Sequence, residues 1–246
     1  MINFPHYHLD TSIVLFFNHF CGKSRFLDTL ALIFLSVDAL RTAILVAFVM
    51  GIWEYGRITN DINSNKRVIL ILFSVVLSLG IIEILNALII SQRPLVTYES
   101  LINSPILNSN TKPLWQEGWA RNPKHGSFPS DTVTLLATIA IGLFLWNKMI
   151  GVIAIGFVIF AGVIPRLYFG LHYPSDLLIG YLIACASTYI IEKMKYFDLL
   201  SKKILNQEKR FPYLFGVLGF YLAYIIADKF WLIRRLPLWI KAMLGN

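Results

Sequence analysis

The sequence predicts an all-α integral membrane protein. It should hold about six transmembrane helices in one bundle, with interfacial amphipathic helices at the N-terminus. Three observations carry this expectation. First, 57% of the 246 residues are hydrophobic and only 15% are charged, against roughly 25% charged in soluble domains. The mean hydropathy is +0.64. Second, six apolar stretches approach the ~20 residues needed to cross hydrocarbon: 39–56, 67–91, 130–147, 149–167, 174–192 and 211–229. Third, Lys and Arg gather in segments that a six-span count places on one side. The length suits a single bundle with no separate soluble domain.

The elements follow in order. The opening "MINFPHYHLD" lacks a basic n-region, so no cleavable signal peptide is expected and the first span does the targeting. Residues 11–37 hold two short apolar runs, "TSIVLFFNHF" and "FLDTLALIFLSV", split by Gly22, Lys23 and Arg25. They read as two interfacial helices in preference to one span. Asp38 and Arg41 open the next stretch three residues apart; charges in or near a span are functional candidates by default, and the bland alternative is that these two simply pair.

Orientation follows from the positive charges. Arg57, Lys66 and Arg67 share a short loop, Lys148 lies in a tight turn, and 193–210 carries Lys193, Lys195, Lys202, Lys203, Lys209 and Arg210. This side is expected to be cytoplasmic. The long segment 94–129 and the turn 168–173 then face outward. The basic tail "IRRLPLWIKAMLGN" conflicts with the rule if 211–229 spans, so that stretch is re-entrant or the tail lies flat. The net charge of +8 reads as cytoplasmic loops meeting anionic lipid, and no nucleic-acid partner is expected. Cys21 and Cys185 sit among apolar residues, which predicts neither a disulfide nor a metal set.

Three outer-side segments carry candidate chemistry. "NALIISQRP" ends a long apolar stretch with Arg93 before Pro94; alone, Arg93 reads as a snorkelling flank residue. "GSFPSDTVTLLATIA" begins with helix-start residues, Pro129, Ser130 and Asp131. Such a helix end offers free N–H groups and a positive dipole end to an anion, although helix caps of this kind are common. "PRLYFGLHYPSD" places Arg166, His172 and Asp176 at intervals of six and four. A carboxylate four residues from a histidine fixes its tautomer and raises its nucleophilicity; the bland alternative is a loop histidine and a capping Asp.

Together the segments resemble the signature of the type-2 phosphatidic acid phosphatase superfamily, which shares its core with vanadium haloperoxidases. That signature reads Lys, six residues, Arg-Pro; Pro-Ser-Gly-His; and Ser-Arg, five residues, His, three residues, Asp. The resemblance covers roughly residues 40–192, and "FPSD" with "RLYFGLHYPSD" look most like the bacterial undecaprenyl-diphosphate phosphatase branch. It implies that Arg93 and Arg166 clamp phosphate oxygens. Ser130, Asp131 and Thr132 with their amides would complete a cradle, His172 would form a phosphohistidine, and Asp176 would orient His172. No cofactor or metal is implied. The family lysine falls on Asn86, which keeps a donor and loses a charge. The histidine that protonates the leaving oxygen falls on Thr132, and the serine before Arg166 is Pro165.

Four consequences stay open: a leaving group that needs no acid, local replacement by Lys124 and His125, loss of hydrolysis with binding retained, or capture of the phosphoryl group by another acceptor. Trp115 and Trp119 in the outer loop would exclude water or anchor at the interface. Glu83, one turn before Asn86, is a further candidate to face the site. The implied organisation is 1–38, N-terminal interfacial helices; 39–192, a lipid-phosphatase-like membrane core; and 193–246, a basic cytoplasmic linker, an additional hydrophobic helix and a basic tail. The implied function is dephosphorylation of a membrane lipid (di)phosphate, most plausibly a polyprenyl diphosphate. Phosphotransfer to a glycan or lipid acceptor, and an inactive lipid-phosphate binder or transporter, are the alternatives. The implied place is the inner (plasma) membrane with the site on its outer face, and the implied partners are the lipid substrate and the bilayer.

Overall fold

The computed structural model describes residues 2–3, 6–103 and 126–227. Lys124, His125, Arg121, Trp115, Trp119 and the basic tail therefore lie outside the described residues. The described chain is helical apart from one pair of two-residue strands. The helices are α1 (His8–Asn18), α2 (Arg25–Ser36), α3 (Asp38–Thr59), α4 (Ile62–Leu88), α5 (Pro94–Thr97), α6 (Asp131–Trp146), α7 (Lys148–Phe157), α8 (Ile164–Tyr168), α9 (Pro174–Lys193), α10 (Lys195–Arg210) and α11 (Pro212–Ala227).

Among the described residues, four helical stretches are long and apolar enough to cross a membrane: Leu40–Thr59, Ile62–Leu88, Lys148–Tyr168 and Pro174–Lys193. The expected spans at 130–147 and 211–229 are shorter apolar helices, α6 and the described part of the last stretch, α11, each of 16 residues. The brevity of α6 has a physical reason. It lies between α4, α7 and α9 and is buried over most of its length, so its polar groups bond within the protein. Thr138 donates to Ser78 Oγ at 3.1 Å, and Thr134 donates to the Gly180 carbonyl at 3.0 Å. Small residues let the backbones approach. A Cβ on Gly180 would stand 3.0 Å from the Ser130 carbonyl, and one on Gly142 would overlap Ile71.

Residues 11–37 form two short helices, α1 and α2, with the break at Gly22, which adopts a φ of +83°. Both pack on α8, and α1 also touches α9. Asn18 fastens α1 by donating to the Tyr168 carbonyl at 2.8 Å. Tyr168 in turn donates to Asp28 Oδ1 at 2.5 Å. Arg41 pairs with Asp38 and donates to the Leu35 carbonyl at 2.7 Å, closing the C-terminal end of α2.

Most of the basic segment 193–210 is helical, α10. Ser201 and Leu205 are buried while most of its cations are exposed. Ion pairs tie it to the α3–α4 end: Lys66 with Asp198, and Arg57 with Glu208 at 3.4 Å. Arg67 pairs with Glu192 at the end of α9. Trp146 Nε1 donates to Ser64 Oγ at 2.8 Å, which brings the α6–α7 turn to the same end. The three basic segments singled out in the sequence therefore meet at one end of the fold.

Candidate active site

At the opposite end, each candidate residue is placed by a local break in helical structure. Helix α4 ends at Leu88, and Ile89–Ile90 form a strand, β2, that pairs in parallel with β1 (Ile2–Asn3), Ile2 opposite Ile89. Pro94 then starts α5 with Arg93 at its N-cap. Arg93 is buried at 6% exposure, and its Nη1 donates to the Leu171 carbonyl at 3.2 Å. Nη2 reaches the Gly126 carbonyl at 3.5 Å. One guanidinium thus links all three motif segments.

Arg166 is set by a π-helical turn, Val158–Val163. Pro165 carries no N–H, so it cannot bond the carbonyl four residues back. One residue earlier, the Ile164 N–H bonds the Ile159 carbonyl, one residue wider than an α-turn. Such insertions recur at functional sites. Arg166 is buried, and its Nη1 donates to the Gly162 carbonyl at 2.6 Å. The Leu171 N–H donates back to the Arg166 carbonyl at 2.8 Å. With Gly170 at φ +62°, this closes a tight turn that presents His172.

His172 is buried, and its Nδ1 lies 3.7 Å from Asp176 Oδ2. That is longer than a hydrogen bond. Asp176 is 0% exposed and has a second task. Its Oδ2 accepts the Tyr173 N–H at 2.9 Å, capping α9. Burial pushes the His172 imidazolium down to about 4, against the pull of Asp176. Arg93 and Arg166 add to the lowering. The ring is therefore neutral at pH 7, as a nucleophile requires.

The start of α6 completes the group. Ser130 is its N-cap, with Oγ accepting from Val133 N at 3.5 Å. Its own N–H donates to the Asp176 carbonyl at 3.3 Å, which joins α6 to the histidine helix. One feature departs from an open phosphate cradle. Thr132 N donates to Asp131 Oδ1 at 2.7 Å, and Thr132 Oγ1 reaches the same oxygen at 3.2 Å. An anion at this helix end must displace the Asp131 carboxylate, because both compete for the same amide.

Arg93, Ser130, Asp131, Thr132, Arg166, His172 and Asp176 thus gather at one end of the fold. Asn86 does not share their burial. It lies exposed on the last turn of α4, as does Glu83. Sequence reasoning missed the N-terminal arm. His6 stacks on Tyr173 with ring centroids 3.6 Å apart, and its Nε2 lies 2.7 Å from Ser91 Oγ. Asp10 Oδ1 accepts from Ser175 N at 3.0 Å. The only local signal was the His6–Asp10 spacing of four, which does not reveal a partner 85 residues away.

No curated protein and no solved structure matches the chain. The family model described as the PAP2 superfamily does match, over residues 67–198, just over half of the sequence. That range takes in Arg93, Ser130, Arg166, His172 and Asp176, and on this match the chain belongs to the PAP2 superfamily.

Proposed function

We propose that this protein removes a phosphate from a membrane lipid (di)phosphate through a phosphohistidine on His172. Membership of the superfamily suggests phosphatase- or phosphotransferase-type activity on lipid phosphates. One observation carries the reading: two buried arginines, a helix N-terminus and a buried neutral histidine backed by Asp176 converge at one end of an apolar helical protein. Arg93 and Arg166 would neutralise the phosphoryl oxygens, the α6 N-terminus would take a further oxygen once Asp131 yields, and His172 would attack phosphorus. The arginines and the helix dipole supply the positive charge without a metal. The positive-charge rule puts the α10 end in the cytoplasm and this site on the outer face of the plasma membrane, where lipid substrate arrives from the bilayer.

Polyprenyl diphosphate is the substrate class this sequence favours. Thr132 cannot donate a proton at neutral pH. An alkoxide leaves poorly without one, whereas a diphosphate expels phosphate, already a weak base. Phosphate release from lipid monophosphates and diphosphates of matched chain tests this with purified protein. The diphosphate is expected to turn over faster. Thr132→His is expected to raise the monophosphate rate by up to roughly 10²-fold and the diphosphate rate less. Equal rates on both lipids would overturn the leaving-group argument. Binding of both without release would leave a binding protein, and phosphate appearing on an added glycan or lipid alcohol would make it a transferase.

Orientation has its own test. In a Cys21→Ala/Cys185→Ala background, Glu99→Cys at the site end should react with a membrane-impermeant thiol reagent in intact cells. Asn206→Cys on α10 should react only after lysis. The reverse pattern would place the site in the cytoplasm.

A further inference from the structure

The N-terminal arm brings a histidine to the segments that carry the candidate site. Pairing of Ile2–Asn3 with Ile89–Ile90 carries the arm to the end of α4. His6 Nε2 is then 2.7 Å from Ser91 Oγ, and Ser91 Oγ is 2.8 Å from Ser127 Oγ. Ser91 lies two residues before Arg93, and Ser127 lies three before Ser130. The other edge of the ring faces acid: Nδ1 is 4.0 Å from Asp10 Oδ2 and 3.4 Å from Ser175 Oγ. Tyr173, stacked on the ring, lies between His172 and Pro174. One side chain therefore meets all three motif segments, directly or through one hydroxyl.

We propose that His6 is the proton donor for the leaving oxygen, acting through the Ser91 and Ser127 hydroxyls. This rests on the phosphohistidine reading above. As His172 forms its bond to phosphorus, the bond from phosphorus to the leaving oxygen breaks and its electron pair stays on that oxygen. Ser127 gives its proton to the oxygen, Ser91 reprotonates Ser127, and His6 reprotonates Ser91. In the second half, water attacks the phosphohistidine. Its proton returns along the same hydroxyls to His6, its hydroxyl goes to phosphorus, and the P–N electron pair returns to His172. Protons balance over the cycle.

The surroundings suit the task. Ser91 and Ser127 are 4% and 1% exposed, so their hydroxyls are shielded from bulk water; Ser127 Oγ also lies 3.4 Å from the Gln92 carbonyl. Among the described residues, the ionisable groups facing His6 include Asp10 of α1 and, from the α9 start, Tyr173 and Asp176. Burial lowers the affinity of His6 for its proton more than Asp176 and Asp10 raise it. A minority of His6 is then charged at neutral pH, which preserves the diphosphate preference. Monophosphate turnover should fall as pH rises through the His6 ionisation.

The test uses full-length protein in detergent on a prenyl monophosphate and the matching diphosphate. His6→Gln keeps a group able to bond Ser91 but cannot donate a proton. It is expected to lower the monophosphate kcat by roughly 10²-fold and the diphosphate kcat by about tenfold less. Its monophosphate profile should lose the alkaline decline. Ser91→Ala should reproduce the selective loss with His6 intact. Imidazole should restore monophosphate turnover to His6→Gly. If wild type is active and His6→Gln leaves the ratio of the two rates and the pH profile unchanged, with no imidazole rescue, the His6 assignment alone falls. If wild type releases phosphate from neither lipid, the phosphohistidine reading falls and the assignment with it.

Discussion

His172→Ala is expected to abolish phosphate release from every lipid phosphate, with turnover below about a hundredth of wild type. Deleting a nucleophile removes the bond-making step itself, so the loss should exceed the roughly 10²–10⁴-fold attached to a proton donor. Acid-labile phosphoenzyme should vanish with it. The protein should remain folded, because His172 Nδ1 makes no hydrogen bond among the described residues and the turn is held by backbone contacts instead. These are Leu171 N to Arg166 O at 2.8 Å and Leu95 N to Gly170 O at 2.8 Å. Residual activity above about a tenth of wild type, or a phosphoenzyme that survives, would overturn the covalent mechanism.

The same ring sets an acid limit. Its ionisation lies near 4 in the folded protein, below the ordinary 6.5, because burial disfavours the cation. His172 is therefore neutral over the whole range above about pH 5, and kcat/KM should not decline on its account until below that. Between 6.5 and 4 the unfolded chain takes up the proton first. The ring's contribution to stability accordingly grows as pH rises through that window and is constant above it.

How much of this was legible in the sequence depends on how local each interaction is. Arg166, His172 and Asp176 lie within one turn and two helix ends, so their spacing marked them as neighbours. Proline and capping chemistry mark the helix boundaries at Arg93 and Ser130, but each alone reads as a flank residue or an ordinary cap, and only the resemblance of the joined segments makes them site candidates. The Asp38–Arg41 pair, three residues apart, was also local. The four long apolar helices followed from hydropathy. Helix α6 fell within an expected span yet proved short, because its burial on all sides depends on α4, α7 and α9, which no single segment reveals. In α10 the cations dominate the composition and mask the helical pattern. Its amphipathic face and its ion pairs to Lys66 and Arg57 are tertiary facts. His6 was out of reach for the same reason. Its place depends on a two-residue parallel pairing with Ile89–Ile90, too short to leave a pattern.

Asp176→Asn is expected to separate the two tasks of the buried carboxylate. The carboxylate oxygen that accepts the Tyr173 N–H at 2.9 Å can be replaced by the amide oxygen of Asn, so the cap of α9 should survive. What disappears is the negative charge 3.7 Å from His172 Nδ1. As His172 bonds phosphorus, its ring becomes cationic in a site from which water is largely excluded. Asp176 is the acidic group that opposes the burial of that charge. Without it the cation is uncompensated. In a hydrolase triad the equivalent exchange costs ~10⁴ in rate, and a loss of about 10³-fold or more is expected here. Asp176→Ala should lose as much activity and, in addition, about 0.5–2 kcal/mol of stability with the cap. The two variants should thus match in rate and differ in thermal stability. Asp176→Asn activity within about tenfold of wild type would show that the carboxylate serves only as a cap, and His172 would then have to act without it.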